Sequence, residues 1–456
     1  MRLQFQTRAS RRMLAAVFGA LIVIATAPGN AAPRYWLKIL HNFCTQQDCV
    51  DGSGSLAALA MDTSGALYGT ASNGGVGNGG AVFQLTYSST ADKWHYDRLD
   101  SLCRTPACAH GSQPLSKLVV DTSGNLYGTT PNGGTRGGGT VFEVVRQSGT
   151  PKIKTLYNFD VPASGGAAPN AELTYAGAET GAPYDGVSPL YGTTSAGSPN
   201  GYGGAFMLKN TGAHWREIAL YDFCAQTDCA DGARPAAGLT VASDGTLYGT
   251  TLFGGTSDNG GHGVVFSLKS SRGVVHETVL HVFCSAANCA DGGHNYVGNS
   301  DYAVSSPLLI DSAGNLFGAA PTGGAHGGGC CGVLFKIVPN GASSQYTVLY
   351  DFCAQAQCTD GSIPNGGLVM DDTGNLFGTT ATGGGHDIDE FEVGGGTVFE
   401  LSGSTLRTLY AFCAKPNCTD GKYPVSGVIM DGSGNIFSTT LEGGTQGWGT
   451  VFELKP

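Results

Sequence analysis

The stretch Gly367-Leu-Val-Met-Asp-Asp-Thr-Gly-Asn-Leu-Phe-Gly-Thr-Thr380 reads as a complete β-hairpin. Leu368 to Met370 are strand formers, and Asp372-Thr-Gly-Asn375 supplies turn chemistry. Gly374 is free to take the positive φ of a tight turn before Leu376 resumes the strand. A glycine-rich loop, Gly383 to Gly396, then leads to a third strand, Thr397-Val-Phe-Glu-Leu401. A short turn at Ser402 to Ser404 precedes a fourth, Leu406-Arg-Thr-Leu-Tyr-Ala-Phe412.

The unit recurs. Leu67-Tyr-Gly-Thr, Leu126-Tyr-Gly-Thr-Thr, Leu190-Tyr-Gly-Thr-Thr, Leu247-Tyr-Gly-Thr-Thr, Leu316-Phe-Gly-Ala-Ala, Leu376-Phe-Gly-Thr-Thr and Ile436-Phe-Ser-Thr-Thr are seven copies of one phrase, spaced near 60 residues. Each is followed by a glycine-rich loop and a second phrase such as Gly139-Thr-Val-Phe-Glu-Val144 or Gly449-Thr-Val-Phe-Glu-Leu454. Four short strands per repeat, with no helical periodicity, predict an all-β, seven-bladed β-propeller of four-stranded blades. A β-solenoid is the competing repeat architecture, but its coils are usually shorter and are not four-stranded meanders.

The two ends of the chain sharpen this reading. The seventh repeat stops after its third strand, Val451-Phe-Glu-Leu454, whereas Tyr35-Trp-Leu-Lys-Ile-Leu-His-Asn-Phe43 matches the fourth-strand phrase seen at Leu349-Tyr-Asp-Phe352. The N-terminal strand is therefore expected to complete the last blade, covering an edge that would otherwise invite aggregation. Ahead of it, Arg2, Arg8, Arg11 and Arg12 precede an apolar run from Met13 to Ala27 and small residues as far as Ala32. That is the order of a signal peptide. Residues 1–32 are expected to be removed on export, through the general or the twin-arginine route, and residues 33–456 to form one propeller domain. The apolar run is short for a bilayer span, which needs about 20 residues, so no stable membrane anchor is expected after cleavage.

A formal net charge of -11 argues against nucleic acid as a partner, since phosphate binding needs clustered Lys and Arg. The 14 cysteines of an exported chain read first as disulfides. Twelve form six C-x4-C pairs, each just after a fourth strand: Cys44/Cys49, Cys103/Cys108, Cys224/Cys229, Cys284/Cys289, Cys353/Cys358 and Cys413/Cys418. The third repeat lacks both members, and their joint loss points to bonding within each loop. Zinc would need four ligands converging on one ion, which pairs spread round a ring do not provide. Cys330 and Cys331 remain, to form a vicinal disulfide or to stay as thiols.

Gly124-Asn-Leu-Tyr-Gly-Thr-Thr130, the glycine-rich loop, Gly-Thr-Val-Phe-Glu and the Leu-Tyr-x-Phe ending together resemble the bacterial GloVer (Gloeo-Verruco) tandem repeat of exported proteins. The resemblance covers nearly the whole chain after residue 32 and implies no catalytic activity. Many members carry a C-terminal sorting anchor; none follows Pro456, so release as a soluble monomer is expected.

Loops between second and third strands, and between blades, share one face of a propeller, the usual binding face. Asp51, Asp231, Asp291, Asp360 and Asp420 each stand two residues after the second Cys of a pair, with His110 in that place in blade 2. They read as a ring of carboxylates for a cation, or as Asp-Gly turn chemistry with each carboxylate serving its own loop. Residues that break the repeat are the better catalytic or metal candidates: His386, Asp387, Asp389, Glu390 and Glu392 in the blade 6 loop, with His262 and His326 in the equivalent loops of blades 4 and 5. No hydrolase elbow, zinc-protease helix or phosphate loop is present. The functional expectation is a non-catalytic scaffold that binds an extracellular glycan, envelope component or protein without a cofactor. The alternative is a metal-dependent hydrolase or lyase, a divalent cation at its channel mouth.

Overall fold

Five hairpins are closed by their own aspartate, Asp62, Asp121, Asp311, Asp371 or Asp431, while blade 4 has Ala242 there. In blade 6, Asp371 Oδ1 accepts the backbone N–H groups of Thr373 and Asn375, both at 2.9 Å, while Gly374 sits at φ +88°. This Asx turn sets the inner strand Val369–Met370 antiparallel to the second, Leu376–Thr380. The third, Thr397–Ser402, and the fourth, Thr405–Ala411, follow in order outward.

The computed structural model describes residues 35–105, 107–146, 149–160, 166–235, 237–255, 261–293, 307–326, 331–386 and 394–456. The export-signal reading, at residues 1–32, lies outside them. Seven blades of this kind form a β-propeller, as the repeat predicts. The closing strand Trp36–Asn42 pairs antiparallel with Thr450–Lys455, Trp36 opposite Lys455 and Ile39 opposite Phe452, and so completes blade 7.

The two repeated phrases are halves of one packing unit. Gly378 lies opposite Phe399, and a Cβ on Gly378 would stand 2.6 Å from Phe399 Cζ and 2.8 Å from Leu368 Cδ2. The glycine is a socket for the ring, and Gly69 and Gly128 serve Phe83 and Phe142 in the same way. Each socketed ring then receives the fourth-strand Phe of the preceding blade, Phe352 on Phe399 at 5.4 Å and Phe43 on Phe83 at 5.4 Å, edge to face, and Phe412 meets Phe452 at 5.1 Å in the same way although Ser438 stands in place of its glycine. Only between blades 1 and 2 is the donor aliphatic, Leu102 against Phe142 in one buried cluster. Burying each such side chain contributes roughly 1.5–3 kcal/mol, so the blade joints are the core of the ring.

The Thr-Thr of the first phrase ties the blades near the axis. Thr129, Thr193 and Thr379 donate their hydroxyls to the carbonyls of Ala171, Ala237 and Ser426 on the next blade, at 2.8–2.9 Å. Thr439 to the Ser55 carbonyl, at 3.4 Å, closes the circle from blade 7 to blade 1.

Blade 3 departs from the pattern. Ala176 stands where a turn aspartate would, and the inner strand is reduced to one bridge, Thr174 to Tyr191. The connection between them is long and carries a short 3-10 turn, Ala178–Thr180. It is anchored by Tyr184, fully buried against Tyr127 and Tyr175 with ring centroids at 5.2 and 5.0 Å.

Candidate functional site

All six C-x4-C pairs are disulfides closed within their own loops: Cys44–Cys49, Cys103–Cys108, Cys224–Cys229, Cys284–Cys289, Cys353–Cys358 and Cys413–Cys418. In five of them the second cysteine ends a one-turn 3-10 element: Gln47–Cys49, Thr227–Cys229, Ala287–Cys289, Ala356–Cys358 and Pro416–Cys418. Cys108 of blade 2 keeps the equivalent backbone bond, donating its N–H to the Thr105 carbonyl at 2.9 Å, without such an element. So short a closure makes the chain double back, and Cys49, Cys108 and Cys229 take left-handed backbone, at φ +50°, +42° and +52°. The carbonyl of each accepts two N–H groups, from Gly52 and Gly75, from Gly111 and Gly134, and from Gly232 and Gly255, at 2.8–3.0 Å. The second cysteine thereby ties its own loop to the glycine-rich loop of the blade that follows. Cys49, Cys108 and Cys229 are half-buried, and through these paired bonds they brace the two loops.

Inside each ordinary loop the aspartate turns inward. Asp420 is fully buried; its Oδ2 accepts the N–H of Ala414 at 3.0 Å and the Tyr410 hydroxyl at 2.7 Å, and its Oδ1 accepts the N–H of Lys415 at 3.3 Å. Asp231 and Asp360 repeat this arrangement with Tyr221 and Tyr350. In the loops of Asp51 and Asp291 a histidine stands where those tyrosines do, with His41 and His281 Nε2 at 3.3 and 3.1 Å from the carboxylate. Each of these histidines stacks on a tyrosine of the next blade, Tyr96 or Tyr346, with centroids 3.7 Å apart. Burial pushes the Asp291 carboxyl up, but the bonds from His281, Ser285 and the Ala286 N–H outweigh it and hold its pKa at about 2. Burial pulls His41 down to about 4 against the pull of Asp51. These five carboxylates are spent on their own loops, with their oxygens directed at loop N–H groups. In blade 2 the roles differ: His110 Nδ1 lies 2.9 Å from Thr155 Oγ1.

A further acid stands beside one of these loops. Glu277, on the outer strand Val274–Val282 of blade 4, has its Oε1 buried without a hydrogen-bond partner. Burial, and then the charge of Asp231, pushes its pKa up to about 7.

Three residues beyond each of Asp51, His110, Asp231, Asp360 and Asp420 the backbone turns left-handed. Gly54, Gln113, Arg234, Ile363 and Tyr423 have φ between +55° and +61°, and Ala168 of blade 3 joins them at +55°. Every one donates its N–H to a carbonyl in the glycine-rich loop of the preceding blade: Trp448, Gly79, Tyr202, Cys331, Gly395 and Gly138, at 2.8–3.0 Å. The glycine-rich loops are thus docking carbonyls, and the left-handed residues form a rim on the disulfide face. Gln113 and Arg234 are exposed, Ile363 and Tyr423 half-buried. Arg234 lies over the Phe253 ring at 5.5 Å and Lys422 over Tyr423 at 4.7 Å.

Among the described residues the loop histidines share no group of candidate metal ligands. His262 lies with its ring nitrogen within 4.8 Å of the Cys284 and Cys289 sulfurs, which are bonded to each other and offer no thiolate to a metal. His326 Nδ1 is 3.2 Å from Asp351 Oδ2, and His386 is exposed. Asp387, Asp389, Glu390, Glu392 and Cys330 lie outside the described residues. Cys331 is buried, its sulfur within 4.8 Å of the Cys353–Cys358 pair.

The inner strands enclose an axial channel of about 880 Å³. Its wall is mostly small or apolar. One residue before the inner-strand leucine or valine, five blades place Ala58, Gly238, Pro307, Gly367 and Gly427, but blades 2 and 3 place Lys117 and Glu172. Burial raises the Glu172 pKa, and Lys117 opposes the shift. Asn170, also in the wall, has its Oδ1 buried without a hydrogen-bond partner. Reading for chemistry in the loops passes these three by, although setting the seven repeats in register on that leucine or valine exposes the two charges at once.

No curated protein matches the sequence. Among solved structures, the periplasmic gluconolactonase PpgL of Pseudomonas aeruginosa is similar over 87% of this chain and 95% of its own, at 12% identity and a TM-score of 0.47. A PL25 ulvan lyase is similar over 86% of this chain and 88% of its own, at 10% identity and 0.47. Likeness this remote carries no argument about activity. The sequence itself matches the Gloeobacter/Verrucomicrobia repeat in three overlapping stretches, residues 30–187, 110–299 and 292–456. With that repeat running from the closing strand to the last residue of the seventh blade, the chain belongs to the Gloeobacter/Verrucomicrobia repeat family.

Proposed function

We propose that the chain is an exported, non-catalytic binding module that presents its disulfide-braced face to an extracellular glycan. The observation that carries this reading is the rim. A left-handed backbone costs a residue with a Cβ on the order of 1–2 kcal/mol, and glycine avoids that cost. Blade 1 uses glycine there, yet Gln113, Ala168, Arg234, Ile363 and Tyr423 keep side chains. The N–H bond to the preceding blade needs none of those side chains. Strain held at a set of positions with uniform backbone and varied side chains is what a recognition surface requires. Six disulfides fit an oxidising compartment and hold the loops beneath the rim in one geometry, lowering the ordering cost of binding.

The test is binding of the purified chain to a glycan microarray and to isolated bacterial envelope polysaccharide. Arg234→Ala and Tyr423→Ala are expected to weaken retention at least tenfold, while Val274→Ala, at a turn on the opposite face, leaves it unchanged. Retention indifferent to both rim variants, or no retention of the parent chain on either support, would overturn the reading.

A further inference from the structure

We infer that the axial channel holds a second binding site, for a neutral polyhydroxylated molecule of one or two sugar rings, between Lys117 and Glu172. This site is separate from the rim and does not depend on it. The channel volume of about 880 Å³ falls within the range of small-ligand pockets, about 300–1,000 Å³. The chemistry is confined to one sector of the wall. Lys117 and Glu172 sit on neighbouring blades at equivalent positions, yet no ion pair within 4 Å joins them.

The wall is shaped to hold Glu172 in place. A Cβ on Gly238 would stand 2.5 Å from Glu172 Cγ, so the bare glycine of blade 4 leaves the room that the carboxylate stem fills. The backbone beside it is fixed by the Thr129 hydroxyl on the Ala171 carbonyl at 2.8 Å. Asn170 Oδ1, in the same sector, is buried and unpartnered among the described residues.

The ligand class follows from the charges. An ammonium donates only and a carboxylate accepts only, so a hydroxyl can accept from Lys117 while donating to Glu172. An anion would meet Glu172, and a cation would meet Lys117, at a like charge in a partly desolvated wall. Gly367, Gly427 and Pro307 on the opposite wall carry no long side chain, which leaves room for a ring.

The test is saturation-transfer NMR on the purified chain with glucose, galactose, N-acetylglucosamine and cellobiose as neutral probes, galacturonate as the anion, glucosamine as the cation and glycine as the zwitterion. Transfer is expected to at least one neutral sugar and to be weaker by tenfold or more in Lys117→Met, which keeps the length of the side chain, and in Gly238→Ala, which crowds Glu172. Unchanged circular dichroism confirms that each variant folds. Val274→Ala, at a turn on the face opposite the disulfides, is expected to leave the signal intact. No transfer to any neutral sugar, stronger transfer to a charged probe, or a signal that survives both channel variants would overturn the inference.

Discussion

The loop leading into blade 7 and the segment leading into blade 3 connect equivalent strands with different means. The first has a disulfide, Cys413–Cys418, and the buried Asp420 with its three hydrogen bonds. The second, from Asn158 onward, has no cysteine and no such aspartate. In its place Gly166–Ala167 pairs with Ala196–Gly197 of blade 3's own glycine-rich loop. Two features survive the loss: Phe159 still packs on Phe206 of the next blade at 5.2 Å, and the left-handed Ala168 still donates to the Gly138 carbonyl. A buried apolar joint, aliphatic only between blades 1 and 2, and the docking bond are thus kept at this junction without the disulfide and aspartate, which are bracing added to it.

The sharpest way to break that comparison is to remove the bracing where it exists. Asp420→Ala leaves the N–H groups of Ala414 and Lys415 and the Tyr410 hydroxyl without their acceptor, and is expected to cost about 3 kcal/mol. Opening the same loop with Cys413→Ser and Cys418→Ser is expected to cost about 2 kcal/mol, the loop-entropy value for so short a closure. Chemical denaturation measures both. An aspartate variant milder than the disulfide variant would mean that the carboxylate decorates the loop and does not organise it.

A smaller effect sharpens the comparison from the side of charge. Glu277 beside Asp231 holds its proton up to about pH 7, above the ordinary glutamate value of 4.5. Between these values the folded state keeps a proton that the unfolded chain has released, so this group's contribution to stability falls as pH rises through the window. Glu277→Gln is expected to be more stable than the parent at pH 8 by about 1–2 kcal/mol after allowing for solvent screening, with the gap closing towards pH 5. Melting curves at the two pH values read this out. An equal gap at both would contradict the raised pKa that burial, and then the charge of Asp231, gives Glu277.

Much of the fold is legible in the sequence because its signature residues are the packing unit itself: Gly378 and Phe399 recur as a pair since one makes room for the other. Ring closure is legible for the same reason, the missing fourth strand being spelled out at Trp36 to Phe43. Blade 3 is less so. Its phrase Leu190-Tyr-Gly-Thr-Thr is intact, and Ala176 in place of the turn aspartate does not mark the longer connection, since Ala242 takes the same place in the ordinary hairpin of blade 4. The C-x4-C spacing gives the disulfides, but not the left-handed backbone at Cys49, Cys108 and Cys229, nor the paired hydrogen bonds that their carbonyls accept. For the candidate site, the Asp-Gly motif admits a surface and a buried reading, and only the partners of Asp51, Asp231, Asp291, Asp360 and Asp420 decide between them. Left-handed backbone at Arg234, Ile363 and Tyr423 has no compositional mark, since the proline that follows each disfavours the right-handed helix and does not specify the left-handed region.

The central claim is that the rim side chains are kept against the preference of the backbone and so serve something other than the fold. Ile363, a β-branched residue at φ +59°, tests it most directly through the unfolding free energy of Ile363→Gly. Relief of the left-handed strain, less the added freedom of glycine in the unfolded chain, is expected to stabilise the protein by about 1 kcal/mol. A loss of about 1 kcal/mol or more would show that the side chain is held in place for packing, and would contradict the account.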